Sequence, residues 1–285
     1  MVGFKQLAGS VLLSSLVSAT PLERRQNVPV GQIINSCTQP GVFAISFDDG
    51  PYIYTSGLLD TLDAAGIKAT FFMNGQNYDN INNYATVVQR MSNEGHQVAS
   101  HTWSHADLAT LDAAGITSQM TQLEAAFTSI IGKIPTYMRP PYFSTNALVL
   151  STLGGLGYKV IQADVDTLDW EYGPEGQIAT SEQIFQSGLD SGATINLSHD
   201  PLPNTISDLV PYMINAIKAK GLRGVTVGEC LGDAAGNWYK TTSGGGGTTP
   251  PPSGGATSPD GTCGGANAYV CPSGLCCSQY GYCDT

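Results

Sequence analysis

The sequence predicts an α/β fold: a distorted (β/α) barrel of about seven parallel strands, followed by a Gly/Pro/Ser/Thr linker and a small disulfide-rich module. Short apolar runs alternate with segments of helical periodicity over most of the chain, a pattern typical of a parallel sheet covered by helices. Polar residues of chemical interest follow the ends of several of these runs. Near residue 241 the composition changes to small polar residues and then to cysteines.

Length and composition are those of a globular protein with one sizeable core. The chain has 285 residues, of which 41% are hydrophobic and only 12% are charged. That length has room for a domain of about 200 residues or more. The net charge of −11 argues against nucleic acid and anionic membranes as partners, because the sequence has no basic patch to neutralise phosphates. We expect neither partner, and we expect a monomer.

Residues 1–19 have the pattern of a secretory signal peptide. Lys5 precedes an apolar stretch over residues 7–17, and small residues follow at 17–19. The stretch is too short to persist as a spanning helix. The pair Arg24-Arg25 fits a processing site or two solvated charges equally well. We therefore expect a secreted chain, extracellular or in the cell wall, where disulfides persist.

The body of the chain, residues 28–240, carries the alternating pattern. Seven apolar runs are candidate strands: Val42–Phe47, Ala69–Met73, Gln97–Ser100, Thr136–Met138, Lys159–Ala163, Ala193–Leu197 and Gly224–Val227. Three segments between them have one apolar stripe and predict helices: Thr55–Gly66, Thr117–Gly132 and Ile206–Gly221. Thr117 and Gly132 suit the start and the end of a helix. Seven strands alternating with helices indicate closure toward a barrel.

Five strand ends carry polar residues that point to chemistry. They are Asp48-Asp49, His101, Arg139, the segment Asp166–Trp170, and His199. In barrels of this kind the active site is built at the carboxyl-terminal ends of the strands. The sequence therefore predicts that these residues share one rim.

The adjacent carboxylates Asp48 and Asp49 end a buried run and precede a Gly-Pro turn. Two like charges beside a core strand are costly unless a cation or a proton lies between them. The alternative is a solvated turn, since aspartate and glycine are ordinary turn residues. The residues alone do not decide which of the two would bind a cation.

His101 and His105 favour the cation. The chain has four histidines, and these two lie four residues apart, so both imidazoles can reach one ion. Two histidines and one carboxylate leave coordination positions open for water and substrate, as in hydrolytic metal sites. A lone pair of histidines at this spacing is often structural, but the upstream Asp48-Asp49 pair makes a metal site the better interpretation.

Cysteines divide the chain into two parts. Cys37 precedes the first strand and Cys230 follows the last, so a bridge between them would join the ends of the body. Residues 241–262 contain no large apolar side chain and predict a disordered linker. Residues 263–285 hold five cysteines, which predict a small disulfide-bonded module with one cysteine unpaired.

Five ordered motifs resemble those of the polysaccharide deacetylases, carbohydrate esterase family 4, and among them secreted fungal chitin deacetylases. The motifs are Ser46-Phe47-Asp48-Asp49-Gly50, His101-Thr102-Trp103-Ser104-His105, Arg139-Pro140-Pro141-Tyr142, Asp166-Thr167-Leu168-Asp169-Trp170 and Leu197-Ser198-His199. The resemblance covers the whole body and implies a distorted (β/α) barrel. It also implies a metal-dependent hydrolase that removes N-acetyl groups from chitin or its oligosaccharides, giving chitosan and acetate.

The resemblance implies roles for individual residues. Asp49, His101 and His105 resemble the metal ligands, usually for Zn²⁺, with Co²⁺ as an alternative. Asp48 resembles the general base, and Arg139 would hold it in place.

The remaining implied roles belong to the acid and the substrate pocket. His199 resembles the general acid that protonates the leaving amine, with Asp169 orienting it. The backbone N–H of Tyr142 would stabilise the oxyanion. Trp170 and Leu197 would line the pocket for the acetyl methyl group.

Other polar and aromatic residues of the body are interpreted as structural. His96 is expected at a strand start, Asp164 and Asp166 in a loop outside the site, and Trp103 and Trp238 in packing. Asn196 lies in a glycosylation sequon, but we expect it unmodified because it falls in a core strand. Arg139 could also form a purely structural ion pair.

The cysteine-rich tail resembles the centre of a hevein-like, family 18 chitin-binding module. Ser278, Tyr280 and Tyr282 match its sugar platform, and flat aromatic rings suit an uncharged polymer. The family pattern would pair Cys263 with Cys277 and Cys271 with Cys283, which leaves Cys276 without a partner. The module is therefore partial.

Two alternative functions follow from the same sequence. The enzyme could deacetylate another polysaccharide, such as acetylxylan or peptidoglycan. The chain could also be a catalytically silent chitin-binding protein, although the intact set of ligands, base and acid argues against that.

Overall fold

The computed structural model describes residues 28–174 and 176–241, together with Met1 and two short strands, Cys276–Cys277 and Cys283–Asp284, that pair antiparallel. The rest of the predicted signal peptide, linker and cysteine-rich module lies outside the described residues, as do Ser278, Tyr280 and Tyr282. None of the described helices is both long and apolar enough to span a bilayer.

Strands and helices alternate along the body. The strands are β1 (Ile33–Ile34), β2 (Val42–Ala44), β3 (Ser46–Asp48), β4 (Thr70–Met73), β5 (Gln97–Ser100), β6 (Lys133–Pro135), β7 (Tyr137–Met138), β8 (Lys159–Ile161), β9 (Val165–Asp166), β10 (Asn196–Leu197), β11 (Arg223–Val225) and β12 (Tyr239–Thr241). The helices are α1 (Thr55–Ala65), α2 (Ala85–Asn93), α3 (Ala113–Ile131), α4 (Ala147–Gly155), α5 (Asp169–Tyr172), α6 (Ile178–Asp190), α7 (Val210–Ala219) and α8 (Val227–Cys230).

The strands form a curled parallel sheet. Six of them pair in the order β1-β8-β7-β5-β4-β3, all parallel. Two further parallel pairs, β9–β10 and β2–β11, continue the curl, and single bridges join Asp48 to His199 and Ala44 to Ile195. The predicted α/β fold is confirmed, with a half-barrel sheet whose strand ends share one edge.

Several strand bounds differ from the predicted ones, for reasons of hydrogen bonding. The run Val42–Phe47 is two strands, because β2 pairs with β11 whereas β3 pairs with β4. The strand predicted from Ala193 starts at Asn196, since the Asp164 carboxylate takes the N–H groups of Thr194 and Ile195. The last predicted strand ends at Val225. Strands β1, β6, β9 and β12 were not predicted, and none exceeds three residues.

The predicted helices are present with altered ends. α1 ends before Gly66, whose φ of +69° closes the helix as expected. α3 starts four residues before Thr117, because the Asp112 side chain caps it by accepting the Gly115 N–H at 2.8 Å. The third predicted helix opens with a π-helical turn, Thr205–Leu209, that runs into α7.

Apolar side chains fill the space between sheet and helices. Leu58, Leu59 and Leu62 of α1 are fully buried, and each contributes about 1.5–3 kcal/mol relative to exposure. The predicted bridge between Cys37 and Cys230 is present and closes a sequence separation of 193 residues. In the chain-entropy account such a loop is worth about 5 kcal/mol.

Most residues interpreted as structural are so placed. His96 is buried, and its Nδ1 accepts the Ala69 N–H at 3.1 Å. Trp103 and Trp238 pack against the apolar core. Asn196 is fully buried, and its amide hydrogen-bonds the backbone of Ser46 in both directions, which agrees with an unmodified sequon.

Candidate active site

The predicted site residues converge at the carboxyl-terminal ends of the parallel strands. Asp48 ends β3, His101 follows β5, Arg139 follows β7, Asp169 starts α5 just after β9, and His199 follows β10. A pocket of about 440 Å³ opens at this edge. Its walls are Asp48, Asp49, Tyr78, His101, His105, Pro140, Tyr142, Phe143, Asp166, Trp170, Leu197 and His199. The predicted rim is therefore one pocket.

Asp48 lies at the pocket floor and is bound from behind by Arg139. The Arg139 Nη1 donates to Asp48 Oδ1 at 2.7 Å, and both side chains are buried. Arg139 also donates from Nη2 to Ser46 Oγ at 2.9 Å, and its guanidinium lies 4.2 Å from the centre of the Phe72 ring. The second oxygen of Asp48 faces the pocket, 3.6 Å from His101 Nε2. Arg139 thus fixes one carboxylate oxygen and leaves the other for chemistry.

Asp49, His101 and His105 bring three donor atoms together. Asp49 Oδ1 is 3.6 Å from His101 Nε2 and 3.2 Å from His105 Nε2. All three donors lie within 4.8 Å of one another. Ligands bound tetrahedrally to zinc at about 2.1 Å lie about 3.4 Å apart, so the spacing suits one such ion.

Two further observations fit a cation at this position. Asp49 Oδ1 is buried and has no hydrogen-bond partner among the residues described, which is costly without a ligand. His101 donates from Nδ1 to the Arg139 carbonyl at 2.7 Å, which turns the Nε2 lone pair toward Asp49. Burial lowers the pKa of His101 to about 3, so its imidazole is neutral as a metal ligand must be. The residues present therefore fit a divalent metal.

His199 and Asp169 form a second hydrogen-bonded pair across the pocket. His199 donates from Nδ1 to Asp169 Oδ1 at 2.8 Å, and its backbone N–H donates to Asp169 Oδ2 at 2.7 Å. Thr205 donates to the same Oδ2 at 2.7 Å, so the fully buried carboxylate is held by three donors. His199 Nε2 is the ring nitrogen left to act on a substrate.

The two halves of the pocket differ in proton affinity. Burial by itself lowers the pKa of His199, but the Asp169 carboxylate outweighs it and raises the pKa to about 9. Burial raises the pKa of Asp48, opposed by the charges on Arg139 and His199. The negative charge of Asp169 favours the protonated imidazole of His199, which can give a proton, and the positive charge of Arg139 favours the ionised carboxylate of Asp48, which can take one. Surroundings that favour an acid in one group and a base in another are typical of acid–base pairs in enzymes.

The backbone around the pocket is strained. Within the described part of the chain, six residues other than glycine have a positive φ: Asp49, Thr102, His105, Tyr142, Phe143 and Leu168. Each is a pocket residue or the chain neighbour of a predicted site residue. Such conformations cost about 1–3 kcal/mol apiece and persist where surrounding contacts impose them, as at functional sites.

The predicted substrate contacts lie on the outer wall of the pocket. Tyr142 is 70% exposed, and its hydroxyl is hydrogen-bonded to His105 Nδ1 at 3.1 Å. Trp170 is 52% exposed, whereas Leu197 is almost buried beside it in the lining. All three residues therefore border the same space as the three candidate metal ligands and His199.

The pocket also contains residues that the sequence analysis did not assign to it. Asp166 was expected outside the site, but its carboxylate lines the pocket, where burial raises its pKa. β9, which carries it, was too short to be predicted. Tyr78 also lines the pocket and comes from an asparagine-rich loop without strand or helix periodicity. Asp164, by contrast, lies in the loop as expected and binds Thr194.

Asp200 is another buried carboxyl beside the site. Its Oδ1 accepts a hydrogen bond from Thr55, and burial raises its pKa to about 7. A Cβ on Gly50 would lie only 2.1 Å from Asp200 Oδ2. A side chain at position 50 would therefore displace the buried Asp200 carboxylate, and this close approach accounts for the glycine that ends the motif Ser46–Gly50.

Comparison with known proteins agrees with this geometry. A family model described as polysaccharide deacetylase matches residues 35–161. A chitin deacetylase from Pestalotiopsis sp. is 63% identical over 277 residues, which are 97% of this chain and 92% of that protein. A probable peptidoglycan-N-acetylglucosamine deacetylase from Arthroderma benhamiae is 50% identical over 75% of this chain, and the match spans 49% of its length.

A solved structure shares the fold. The chitin deacetylase from the fungal pathogen Colletotrichum lindemuthianum superposes with a TM-score of 0.73 at 46% identity, covering 75% of this chain and 97% of that one. Identity this high over nearly complete relatives establishes the relationship by sequence as well as by fold. The chain belongs to the polysaccharide deacetylase family, carbohydrate esterase family 4.

Proposed function

We propose that this protein is a secreted, metal-dependent deacetylase that hydrolyses the N-acetyl groups of chitin to give chitosan and acetate. One observation carries the proposal: a three-donor metal site, a buried carboxylate and a histidine–aspartate pair border one pocket. The relatives named chitin deacetylase, at 63% and 46% identity, support chitin as the substrate.

Asp49, His101 and His105 would hold the metal, with Zn²⁺ as the first choice and Co²⁺ as a second. When bound, such an ion lowers the pKa of water to about 7 and polarises the amide carbonyl. The partnerless Asp49 oxygen and the fixed His101 tautomer support this ligand set.

Asp48 would be the general base. It takes a proton from the attacking water, whose oxygen then bonds to the acetyl carbonyl carbon. Arg139 occupies Asp48 Oδ1, so the proton goes to Oδ2, the oxygen that faces the pocket. Arg139 thereby positions the base. A base in position contributes about 10²–10⁴-fold to rate.

His199 would be the general acid. It gives its proton to the amide nitrogen as the carbon–nitrogen bond breaks, which releases acetate and a free amine. Asp169 keeps the imidazole protonated and oriented through the bond at Nδ1, so Nε2 delivers the proton. An amide needs this acid more than an ester does, because an amine must be protonated to leave.

The pocket wall would bind the acetyl group. We assign the backbone N–H of Tyr142 to the developing oxyanion, where a fixed donor is worth more than in water. Trp170 and Leu197 would enclose the methyl group, which agrees with their positions in the lining.

The ends of the chain complete the proposed organisation. Residues 1–19 would direct secretion to the extracellular space or cell wall, residues 241–262 would be a linker, and residues 263–285 a partial chitin-binding module. The catalytic domain would be residues 28–240. Ser278, Tyr280 and Tyr282 are the proposed sugar contacts of the module.

A different acetylated polymer is the main alternative substrate. The 50% identity to a probable peptidoglycan-N-acetylglucosamine deacetylase favours peptidoglycan as that second candidate. Acetylxylan remains a weaker one, and a silent chitin-binding protein would need none of the acid–base geometry described above.

Acetate release separates these functions. The full chain is incubated with N-acetylglucosamine oligomers, peptidoglycan or acetylxylan, each with and without chelator. We expect most acetate from the oligomers, loss with chelator and recovery with added Zn²⁺. Release only from another polymer would reassign the substrate, and no release from any polymer under zinc would support the binding protein.

A further inference from the structure

We infer that Tyr78 is the platform for the pyranose unit next to the one that is deacetylated, so the protein engages at least two consecutive units of its polymer. This inference rests on the proposed function and specifies how much of the chain that site binds. Tyr78 belongs to the asparagine-rich loop, residues 74–84, between β4 and α2.

Tyr78 is exposed at the edge of the reaction pocket without belonging to its reactive centre. Its side chain is 48% exposed and lines the same pocket as Asp49 and His199. The other two exposed aromatics of the lining are tied to that centre: Tyr142 is bonded to His105, and Trp170 follows Asp169. A half-exposed ring in the lining has surface left for a ligand that extends out of the pocket.

A group of tyrosines holds this ring from behind. The Tyr78 ring centre is 5.6 Å from that of Tyr52, which also packs against Tyr54 at 6.0 Å and Tyr84 at 6.4 Å. Tyr84 donates from its hydroxyl to Asp79 Oδ2 at 3.1 Å, which binds the group to the loop. A ring packed in this way loses little conformational entropy when a ligand binds, so more of the contact energy contributes to affinity.

The loop itself is anchored to the strand end that carries the metal ligands. Asn74 donates from Nδ2 to the Thr102 carbonyl at 3.0 Å, and the Gln76 N–H donates to the Trp103 carbonyl at 2.6 Å. A Cβ on Gly75 would lie 1.9 Å from the Trp103 ring, so only glycine allows this close contact. Tyr78 therefore has a defined position relative to His101.

The chemistry around Tyr78 suits an uncharged sugar. Five of the eleven residues of the loop are asparagine. Amide side chains can hydrogen-bond the hydroxyl and acetamido groups at the edge of a pyranose unit. The C–H face of that unit is apolar and flat enough to stack on an aromatic ring. A platform of one aromatic ring among amides, continuous with the deacetylation pocket, fits the adjoining unit of the same polymer.

The test measures how catalytic efficiency depends on oligomer length. We compare acetate release from N-acetylglucosamine itself and from its oligomers of two to six units for the full wild-type chain and for Tyr78→Ala, Tyr78→Phe and Tyr54→Ala. Tyr54 packs in the same tyrosine group but does not line the pocket, so its variant controls for loosening of the group. A small activated acetate ester reports on the reactive centre alone.

We expect kcat/KM of the wild type to rise with oligomer length. In Tyr78→Ala that rise should be about 2- to 10-fold smaller, which is the effect of losing one aromatic stacking contact. Tyr78→Phe and Tyr54→Ala should keep the wild-type dependence, and ester hydrolysis should be equal in all four. Unchanged length dependence in Tyr78→Ala would overturn the inference and leave the proposed function intact. A wild type that hydrolyses the ester but no oligomer would instead overturn the proposed function.

Discussion

Two buried charged clusters lie at opposite edges of the parallel sheet, and they differ in how completely their polar atoms are paired. At the amino-terminal ends, Asp233 accepts hydrogen bonds from Lys159 at 2.8 Å, Tyr137 at 2.7 Å and Asn237 at 2.7 Å. No atom of that cluster is among the described buried side-chain atoms without a partner. At the reaction pocket, Asp49 Oδ1 is such an atom.

From this difference we interpret the Asp233 cluster as structural and the pocket as the proposed functional site. A closed hydrogen-bond network stabilises the position of the chain around it, and it has no free donor or acceptor for a ligand. The pocket instead combines a partnerless oxygen, strained backbone and two histidines, His101 and His199, whose pKa values are shifted in opposite directions. A buried polar group without a partner in a native structure is often explained by a bound ligand. For Asp49 the ligand that we propose is a metal ion.

Removing a metal ligand should have the largest effect on turnover. His101→Ala takes away one of three donors, so we expect loss of bound zinc and of all measurable acetate release. Elemental analysis of the purified folded protein measures the metal. His96→Ala is the matched control, because it removes a buried histidine outside the pocket and should keep its zinc. Full zinc content in His101→Ala would contradict the ligand assignment.

Removing the base should nearly abolish turnover while keeping the metal. Asp48→Asn preserves shape and the contact with Arg139 but cannot accept a proton, so we expect a fall in kcat of about 10²–10⁴-fold with unchanged zinc content. Acetate release and elemental analysis are measured on the same sample. An Asp48→Asn protein with wild-type kcat would show that another group is the base.

Removing the charge behind the acid should change the pH profile. The Asp169 carboxylate holds the pKa of His199 near 9, so the acid form persists up to that pH and activity should fall above it. In Asp169→Asn burial lowers that pKa, and the alkaline limb should move to lower pH. Asp164→Asn is the control, since that carboxylate binds Thr194 outside the pocket. An unmoved alkaline limb in Asp169→Asn would exclude His199 as the titrating acid.

Disrupting the structural cluster should affect stability and leave turnover almost unchanged. Lys159→Met leaves the Asp233 carboxylate buried without its cation, which costs about 3–5 kcal/mol of unfolding free energy. Urea unfolding measures that loss, with Lys240→Met as a control for a more exposed ion pair. A large fall in kcat of Lys159→Met that is still folded would show that the Asp233 cluster is not purely structural.

The sequence predicted which residues converge at the pocket better than it predicted the bounds of the strands and helices that carry them. Asp48, His101 and His199 could be placed on one rim because each follows an apolar run, and parallel strands end at a common edge. The division of residues 42–47 into β2 and β3 could not be predicted, because it depends on which distant strand each half pairs with. The start of α3 does have a local signal, because Asp112 is a residue that commonly caps a helix and it directly precedes Ala113.

Some features of the pocket required three-dimensional information. Asp48 and Asp49 cannot be told apart from the sequence. In the structure Arg139 binds Asp48 Oδ1 at 2.7 Å, whereas Asp49 Oδ1 has no hydrogen-bond partner among the described residues. Tyr78 carries no local signal, because an asparagine-rich loop predicts only irregular structure. Its place in the pocket follows from hydrogen bonds to the segment after β5, which is distant in sequence.

We propose that Asp49, His101 and His105 share one divalent ion, and a crystal structure of the zinc-loaded protein would show which residues bind it. Anomalous scattering at the zinc edge locates the metal independently of any assumed ligands. We expect one strong peak in the pocket, bound by the Asp49 carboxylate and by Nε2 of both histidines, with His199 lining the same pocket. A peak bound by other residues, or no peak in the pocket at full zinc loading, would contradict it.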